Sequence, residues 1–317
     1  MERRHFLASM AAATILPTWA HAQSTPVRIV VGAPPGGGTD SLARTLAAEL
    51  SRIAGGTFLV ENRPGAGGNI AAQYVANAAP DGSTLLLCYT SHAINATLYS
   101  NLGFDPVSSF TPVSYVASAP SILCAHPSVA ANDMPGLIAL ARQSPGKLNI
   151  ALPGIGSAGH LGAEVLKMMA GIDMVSVPYK GTAPAMNDVV GGQVDMMFAG
   201  LALARGQLDD KRLKPLGLSS RDPLADFPQA IPIDRTLPGY DFSAWYGLLG
   251  PAGMDKRIAD AYSVGVREGL ENEKSRNRLR HEGMLVTAST PESFNTFLAS
   301  EIQRWGAVVK ASGATAG

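Results

Sequence analysis

The feature that most constrains this chain is a unit that occurs twice: a short apolar strand, a glycine-rich turn and a helix start. The first copy runs Val27-Arg28-Ile29-Val30-Val31, then Gly32-Ala33-Pro34-Pro35-Gly36-Gly37-Gly38. Thr39-Asp40 then opens an apolar-periodic segment through Leu42, Leu46 and Leu50. The second copy is a strand over 147–152, a turn over 154–159 and a helix over 161–169. Between them come strand signals at 58–60 and 85–89 and a helix near 71–78. After the second copy come strands at 174–178 and 194–199 with a helix over 182–190. Such alternation predicts an α/β fold of two similar lobes, each a mainly parallel sheet flanked by helices. The tail reads as amphipathic helices over 256–279 and 291–309 with a strand over 285–287 between them.

The first residues belong to another category. Arg3 and Arg4, a short apolar stretch over 6–16 and the small-residue site Ala20-His21-Ala22 read as a signal peptide over 1–22, cut near Ala22. Arg3-Arg4-His5-Phe6-Leu7 also resembles a twin-arginine signal, and the general and twin-arginine routes both stay open. Either route takes the mature chain to the periplasm. Its loss removes two of 25 Lys and Arg and one of 25 Asp and Glu, leaving a net charge of −1. A chain so nearly neutral has no electrostatic footprint for nucleic acid. No mature stretch is apolar for long enough to span a membrane.

Cys88 and Cys124 lie in apolar runs and read as buried thiols acting as small hydrophobes, with a disulfide as the alternative. No Cys/His cluster has metal-ligand spacing, so no metal is expected, and no cofactor either.

The glycine turns carry the chemistry. Gly32 to Thr39 nearly matches a phosphate loop, but Gly38 occupies the lysine position. Without that cation a triphosphate is under-compensated, whereas backbone N–H groups at a helix start suit a single carboxylate. Gly154-Ile155-Gly156-Ser157-Ala158-Gly159 matches G-x-G-x-x-G, with Asp173 placed like a ribose-binding acid, so a dinucleotide reading is open by motif alone. Read physically, it is a second anion-accepting helix start, with the Ser157 hydroxyl and His160 in the first turn. An exported hydrolase with Ser157 as nucleophile and His160 or His92 as base is a further alternative. However, Ile155 breaks the G-x-S-x-G elbow.

Several collinear runs resemble one family. They include Pro34-Pro35-Gly36-Gly37-Gly38-Thr39-Asp40, Glu61-Asn62-Arg63-Pro64-Gly65-Ala66-Gly67-Gly68, Ala79-Pro80-Asp81-Gly82-Ser83-Thr84 and Pro178-Tyr179-Lys180-Gly181-Thr182-Ala183-Pro184-Ala185. Gly192-Gln193-Val194-Asp195 and Trp245-Tyr246-Gly247 extend the likeness, which covers 26–313. It is similar to the substrate-binding receptors of tripartite tricarboxylate transporters, the Bug receptors. The resemblance implies a two-lobed periplasmic binding protein fold of type II character, with two crossing strands as hinge. It divides the chain into 24–121 plus 247–317 as lobe one and 122–246 as lobe two.

The resemblance also implies a site. One loop contributes Ala33, Pro35, Gly36, Gly37, Gly38, Thr39 and Asp40, the other Ser157, Gly159 and His160. Ser91, His92, Gly181, Thr182 and Ala183 line the opposite side, and Asp195 receives a ligand amine or caps a neighbouring loop. The family commonly places an aromatic residue where this chain has Ala33. The implied activity is capture, without catalysis, of a small mono-, di- or tricarboxylate or acidic amino acid for the membrane permease subunits of such a transporter. An orphan receptor serving a membrane signalling protein is the rival role. Lys180, Met168-Met169 and Met196-Met197 read as an outward loop lysine and core filler respectively.

Overall fold

The computed structural model describes residues 25–154 and 156–314, so the signal peptide expected over 1–22, with its cut near Ala22, lies outside the described residues. The first lobe opens with β1 (Val27–Val31), α1 (Gly38–Ala54), β2 (Phe58–Asn62), α2 (Asn69–Ala76), β3 (Thr84–Tyr89) and α3 (Ser91–Leu98). The three strands are parallel with β1 in the middle. Helices cover both faces of β1, so four of its five residues are buried, as an internal parallel strand requires. α1 buries Leu42, Leu46 and Leu50 and stops at Gly55, which takes the left-handed conformation that ends many helices.

The chain then crosses. β4 (Phe110–Ala125) is sixteen residues long; α4 (Met134–Gln143) follows, and β5 (Asn149–Leu152), α5 (Ala158–Ala170), β6 (Val175–Pro178), α6 (Thr182–Val190), β7 (Met196–Gly200), α7 (Leu201–Asp209) and β8 (Lys214–Leu218) form the second lobe. The chain returns through β9 (Ser243–Pro251) to α8 (Lys256–Glu271), α9 (Glu273–His281), β10 (Leu285–Val286) and α10 (Pro291–Ser312). The single helix read over 256–279 is two helices. Asn272 takes an extended ψ of 124° and its side chain accepts the Lys274 N–H, capping α9.

β4 belongs to both sheets. Its first part pairs antiparallel with β9, down to Pro120↔Ser243, and its last five residues pair antiparallel with β7 and β8. The parallel character is therefore confined to two three-stranded blocks, β2-β1-β3 and β7-β5-β6, with antiparallel pairs at the junction. The pairings fix directions. β3 is antiparallel to β9 and β9 to β4, so β1, β2 and β3 run with β4, towards the second lobe. β7 is antiparallel to β4, so β5, β6 and β7 run back towards the first. The C-terminal ends of both parallel blocks, and the glycine turns that follow them, thus converge on the junction.

One side of the crossing strands carries an apolar cluster shared by both lobes. It holds Phe198 and Phe242 beside Trp245, Leu298 and Trp305. Glu301 is buried within it, accepting Trp245 Nε1–H at 2.8 Å, Trp305 Nε1–H at 2.7 Å and Arg304 Nη1–H at 3.1 Å. The other side has a separate cluster in each lobe. Met196 and Met197 are core residues, but Met168 and Met169 are 51% and 41% exposed. The buried stripe of α5 runs through Leu161, Leu166 and Ala170 and leaves those two methionines on the opposite face. Cys88 and Cys124 are free, buried thiols.

Glu301 satisfies two indoles and a guanidinium at once, so removing it strands buried donors. Glu301→Ala is expected to cost about 3–5 kcal/mol in urea unfolding, the range for breaking a buried ionic network. Glu301→Gln, which keeps an acceptor oxygen, is expected to cost clearly less; equal losses would contradict this account.

Candidate functional site

The first glycine turn leaves the C-terminal end of β1 with residues 34–38 open to solvent. α1 starts at Gly38 with no side-chain cap, and its first helical bond is Ser41 N–H to Gly37 O at 3.0 Å. The N–H groups of Gly38, Thr39 and Asp40 have no acceptor among the described residues. Three donors at one helix start, with the helix dipole behind them, make an anion cradle.

Asp40 is no ligand donor. Its buried carboxylate accepts Arg44 Nε–H at 2.9 Å, Asn62 Nδ2–H at 3.0 Å and the Gly36 N–H at 3.0 Å. Asn62 also donates to Ala33 O at 3.1 Å. This clasp fixes the loop and engages the Gly36 amide within its own segment. The Gly36 N–H is therefore engaged locally, and Pro35 has no N–H to offer. The Arg44 guanidinium, followed by the Gly36 and Asn62 donors, outweighs burial and lowers the Asp40 carboxyl from 3.8 to about 2. Arg44 went unread in the sequence, although an Asp-to-Arg spacing of four on a helix is a visible signal. Behind the cradle stand Met284 and the buried phenol of Tyr246, which lies against Thr39.

The second turn leaves β5. Ser157 caps α5, its hydroxyl accepting His160 N–H at 3.2 Å, and His160 Nδ1 accepts the Gly156 N–H at 3.0 Å. The Gly156 and His160 amides are thus engaged locally, while the N–H groups of Ala158 and Gly159 have no acceptor among the described residues. Acceptance at Nδ1 fixes the His160 proton on Nε2, and burial pushes its pKa below the ordinary value, with Glu164 opposing and Lys167 reinforcing. The imidazole is therefore a neutral donor. A third helix start, α6, is uncapped at Gly181, and the N–H groups of Thr182 and Ala183 likewise have no acceptor among the described residues.

The lobes meet beside these turns. Ser91 Oγ lies 3.5 Å from Gly156 O, and Thr90 N–H bonds Trp245 O at 3.2 Å, next to Tyr246. A contact chain therefore runs from Thr39 through Tyr246, Thr90 and Ser91 to Gly156. Two predicted residues fall outside it. His92 is buried, stacked with Phe104 at 5.9 Å and edge-on to Phe110 at 5.2 Å, with Nε2 on Pro106 O at 2.9 Å. Asp195 precedes β7 at the far end of the second sheet. There its carboxylate accepts Asn149 N–H at 2.8 Å while Asn149 Oδ1 accepts its N–H at 2.7 Å. It caps a neighbour and is remote from the convergent ends.

The dinucleotide reading also fails on position. Asp173 lies before β6, with its carbonyl on Gly146 N–H at 3.2 Å, at the opposite strand ends from the 154–159 turn. A groove of about 530 Å³ bordered by Arg28, Tyr74 and Arg63 lies beside the N-terminal ends of β1 and β3. It is not where the βα turns converge, and Arg63 there is paired with Glu61 at 2.6 Å and stacked on Tyr74. Among the described residues no His, Cys, Asp and Glu cluster could hold a metal, and no helix is long and apolar enough to cross a membrane.

A profile described as "tripartite tricarboxylate transporter family receptor" matches residues 42–314. The chain belongs to this family. The periplasmic binding protein BugD is 31% identical, with a TM-score of 0.80 over 92% of this chain and 99% of that one. Rpa4515 of R. palustris, solved with adipate, is 32% identical with a TM-score of 0.83 over 92% and 99%. MatC of Rhodopseudomonas palustris, solved with bound malate, is 31% identical with a TM-score of 0.79 over 90% and 99%. The family is one of solute-binding receptors, not enzymes.

Because the Asp40 pKa is depressed, the clasp is fully formed above the unfolded value near 4 and is lost as pH falls through about 2. Asp40→Asn is expected to speed hydrogen exchange at the Gly36 amide by about tenfold at neutral pH. The wild-type amide should lose its protection only on acidification. Unchanged exchange in the variant would remove the clasp from the account.

Proposed function

We propose that this receptor is exported to the periplasm and captures a small organic carboxylate between its lobes for the permease subunits of a tripartite tricarboxylate transporter. The observation that carries the reading is the unpaired N–H groups at the starts of α1 and α5, on turns that the strand directions bring to one junction. Each helix start contributes about half a positive charge, so two of them balance one carboxylate without any side-chain cation. The hydroxyl of Thr39, the Nε2–H of His160 and the amides of Thr182 and Ala183 would then select the rest of the molecule. The ligand class is mono-, di- or tricarboxylates or acidic amino acids; adipate and malate in two relatives support it.

In this reading the hinge lies at 120–121 and 242–243, where the chain passes between sheets, so the return comes four residues before the 246–247 boundary expected from the sequence. Lobe one would then be 25–121 with the chain after this return, and lobe two the part between. A ligand that satisfies donors on both lobes favours the closed arrangement by its differential affinity, and closure follows as a hinge motion.

The test removes backbone donors without breaking helices. Gly38 and Ala158 are each the first helical residue, preceded by extended backbone at Gly37 (ψ 174°) and Ser157 (ψ 159°). Proline is accepted at that position but has no N–H. In a thermal-shift screen of adipate, malate, other organic acids and neutral sugars, an acid at a hundred times its Kd should stabilise the wild type by about 2.7 kcal/mol. Gly38→Pro and Ala158→Pro should each weaken that acid at least about tenfold, the value of a hydrogen bond to a charged group. Stabilisation by sugars alone, or proline variants that bind acids normally, would defeat the proposal.

A further inference from the structure

On the side of the junction where the apolar core is split between lobes, one polar contact bridges the gap. Arg280 on α9 meets Asp226 through Nε–H to Oδ2 at 2.9 Å and Nη2–H to Oδ1 at 2.6 Å. Asp226 belongs to the second lobe, where the adjoining Phe227 is buried with Leu224 and Ala230. Arg280 belongs to the first, where α9 buries Leu279 in the other cluster.

The turn after α9 also touches both lobes. Gly283 has a φ of 79°, and a Cβ there would stand 2.7 Å from Leu201 Cβ, at the start of α7. On the near side, Glu282 Oε1 accepts Ser41 Oγ–H at 2.8 Å and Arg278 Nη2–H reaches the same hydroxyl at 3.2 Å. Met284 Cε is 3.3 Å from where a Cβ on Gly38 would lie. Ser41 makes the first helical bond of α1, so these contacts grip the first turn of the anion cradle from behind.

We propose that 278–284 is a strap that positions the α1 cradle against the second lobe, with Arg280–Asp226 as its inter-lobe fastening. Arg280 and Asp226 are positioning residues; neither touches the ligand. The part concerning affinity rests on the carboxylate-capture reading, whereas the part concerning lobe geometry does not.

The experiment compares Arg280→Gln, Asp226→Asn, the reversal Arg280→Asp with Asp226→Arg, and Arg276→Gln as an exposed control on α9. Spin labels on Asn77→Cys and Asp209→Cys report the distance between lobes without ligand, the native thiols being buried. The single variants should broaden or lengthen the distance distribution, and the reversal should restore it. Affinity for the acid that best stabilises the wild type should fall about two- to fivefold in each single variant. That is the scale of one well-formed surface pair. The reversal should recover most of this, with melting temperatures unchanged throughout. Wild-type distances and affinities in both single variants, or a reversal that restores neither, would overturn the strap. If no acid binds the wild type, capture is refuted while the distance distributions still decide the strap.

Discussion

The antiparallel pairing of β4 with β9 is the constraint from which the rest of the architecture follows. A sixteen-residue strand shared by two sheets fixes the sense of every other strand. The parallel strands β1–β3 of the first lobe must run with it and those of the second lobe against it, so their C-terminal ends oppose one another. The C-terminal end of β3 reaches the level of Ala117 through Tyr246, while β7 ends opposite Ser121. Four residues of strand separate these levels, about 13 Å at 3.3 Å each. The proposed role of the glycine turns as anion sites depends on where β4 aims them.

The unpaired donors on these turns are backbone groups, and the proposed guest follows from that. A side-chain cation would hold its charge wherever it swung, but an N–H at a helix start points along the axis and is fixed by the fold. Several side chains in and beside the turns hold them still. Asp40 and Asn62 hold the first loop; Ser157 and the Nδ1 of His160 hold the second. Preorganisation of this kind reduces the ordering cost of binding, which is how a site without a side-chain cation would reach useful affinity for the proposed carboxylate.

Much of the fold could be read because the signals are local. The turns at 32–38 and 154–159 punctuate apolar runs, and helix and strand periods alternate around them. β4 was harder. Pro112 and Pro120 lie within it, and prolines demote a strand unless a register shift absorbs them, as happens between Pro112 and Ser114. The site residues divide in the same way. Thr39 and Ser157 follow from helix-start chemistry. His92 looked available because Phe104 and Phe110, which enclose it, reach it only through tertiary packing. Asp195 looked available because its partner Asn149 lies 46 residues away in sequence.

The two sides of the crossing strands differ in a way that bears on motion. On one side a continuous apolar cluster, stiffened by the Trp245–Glu301–Trp305 network, spans both lobes. Opening there would expose aromatic rings that each bury some 150–250 Å². On the other side the core is interrupted, and the fastening described is an ion pair with half-exposed Arg280. Parting such a pair costs at most about 1 kcal/mol, because water replaces most of what is lost. A hinge opens where separation is cheapest. In the hinge motion proposed for capture, the apolar side would therefore be the pivot and the α9 side the edge that parts. The α1 helix start, held from behind by that same edge, would shift relative to α5 as it does so.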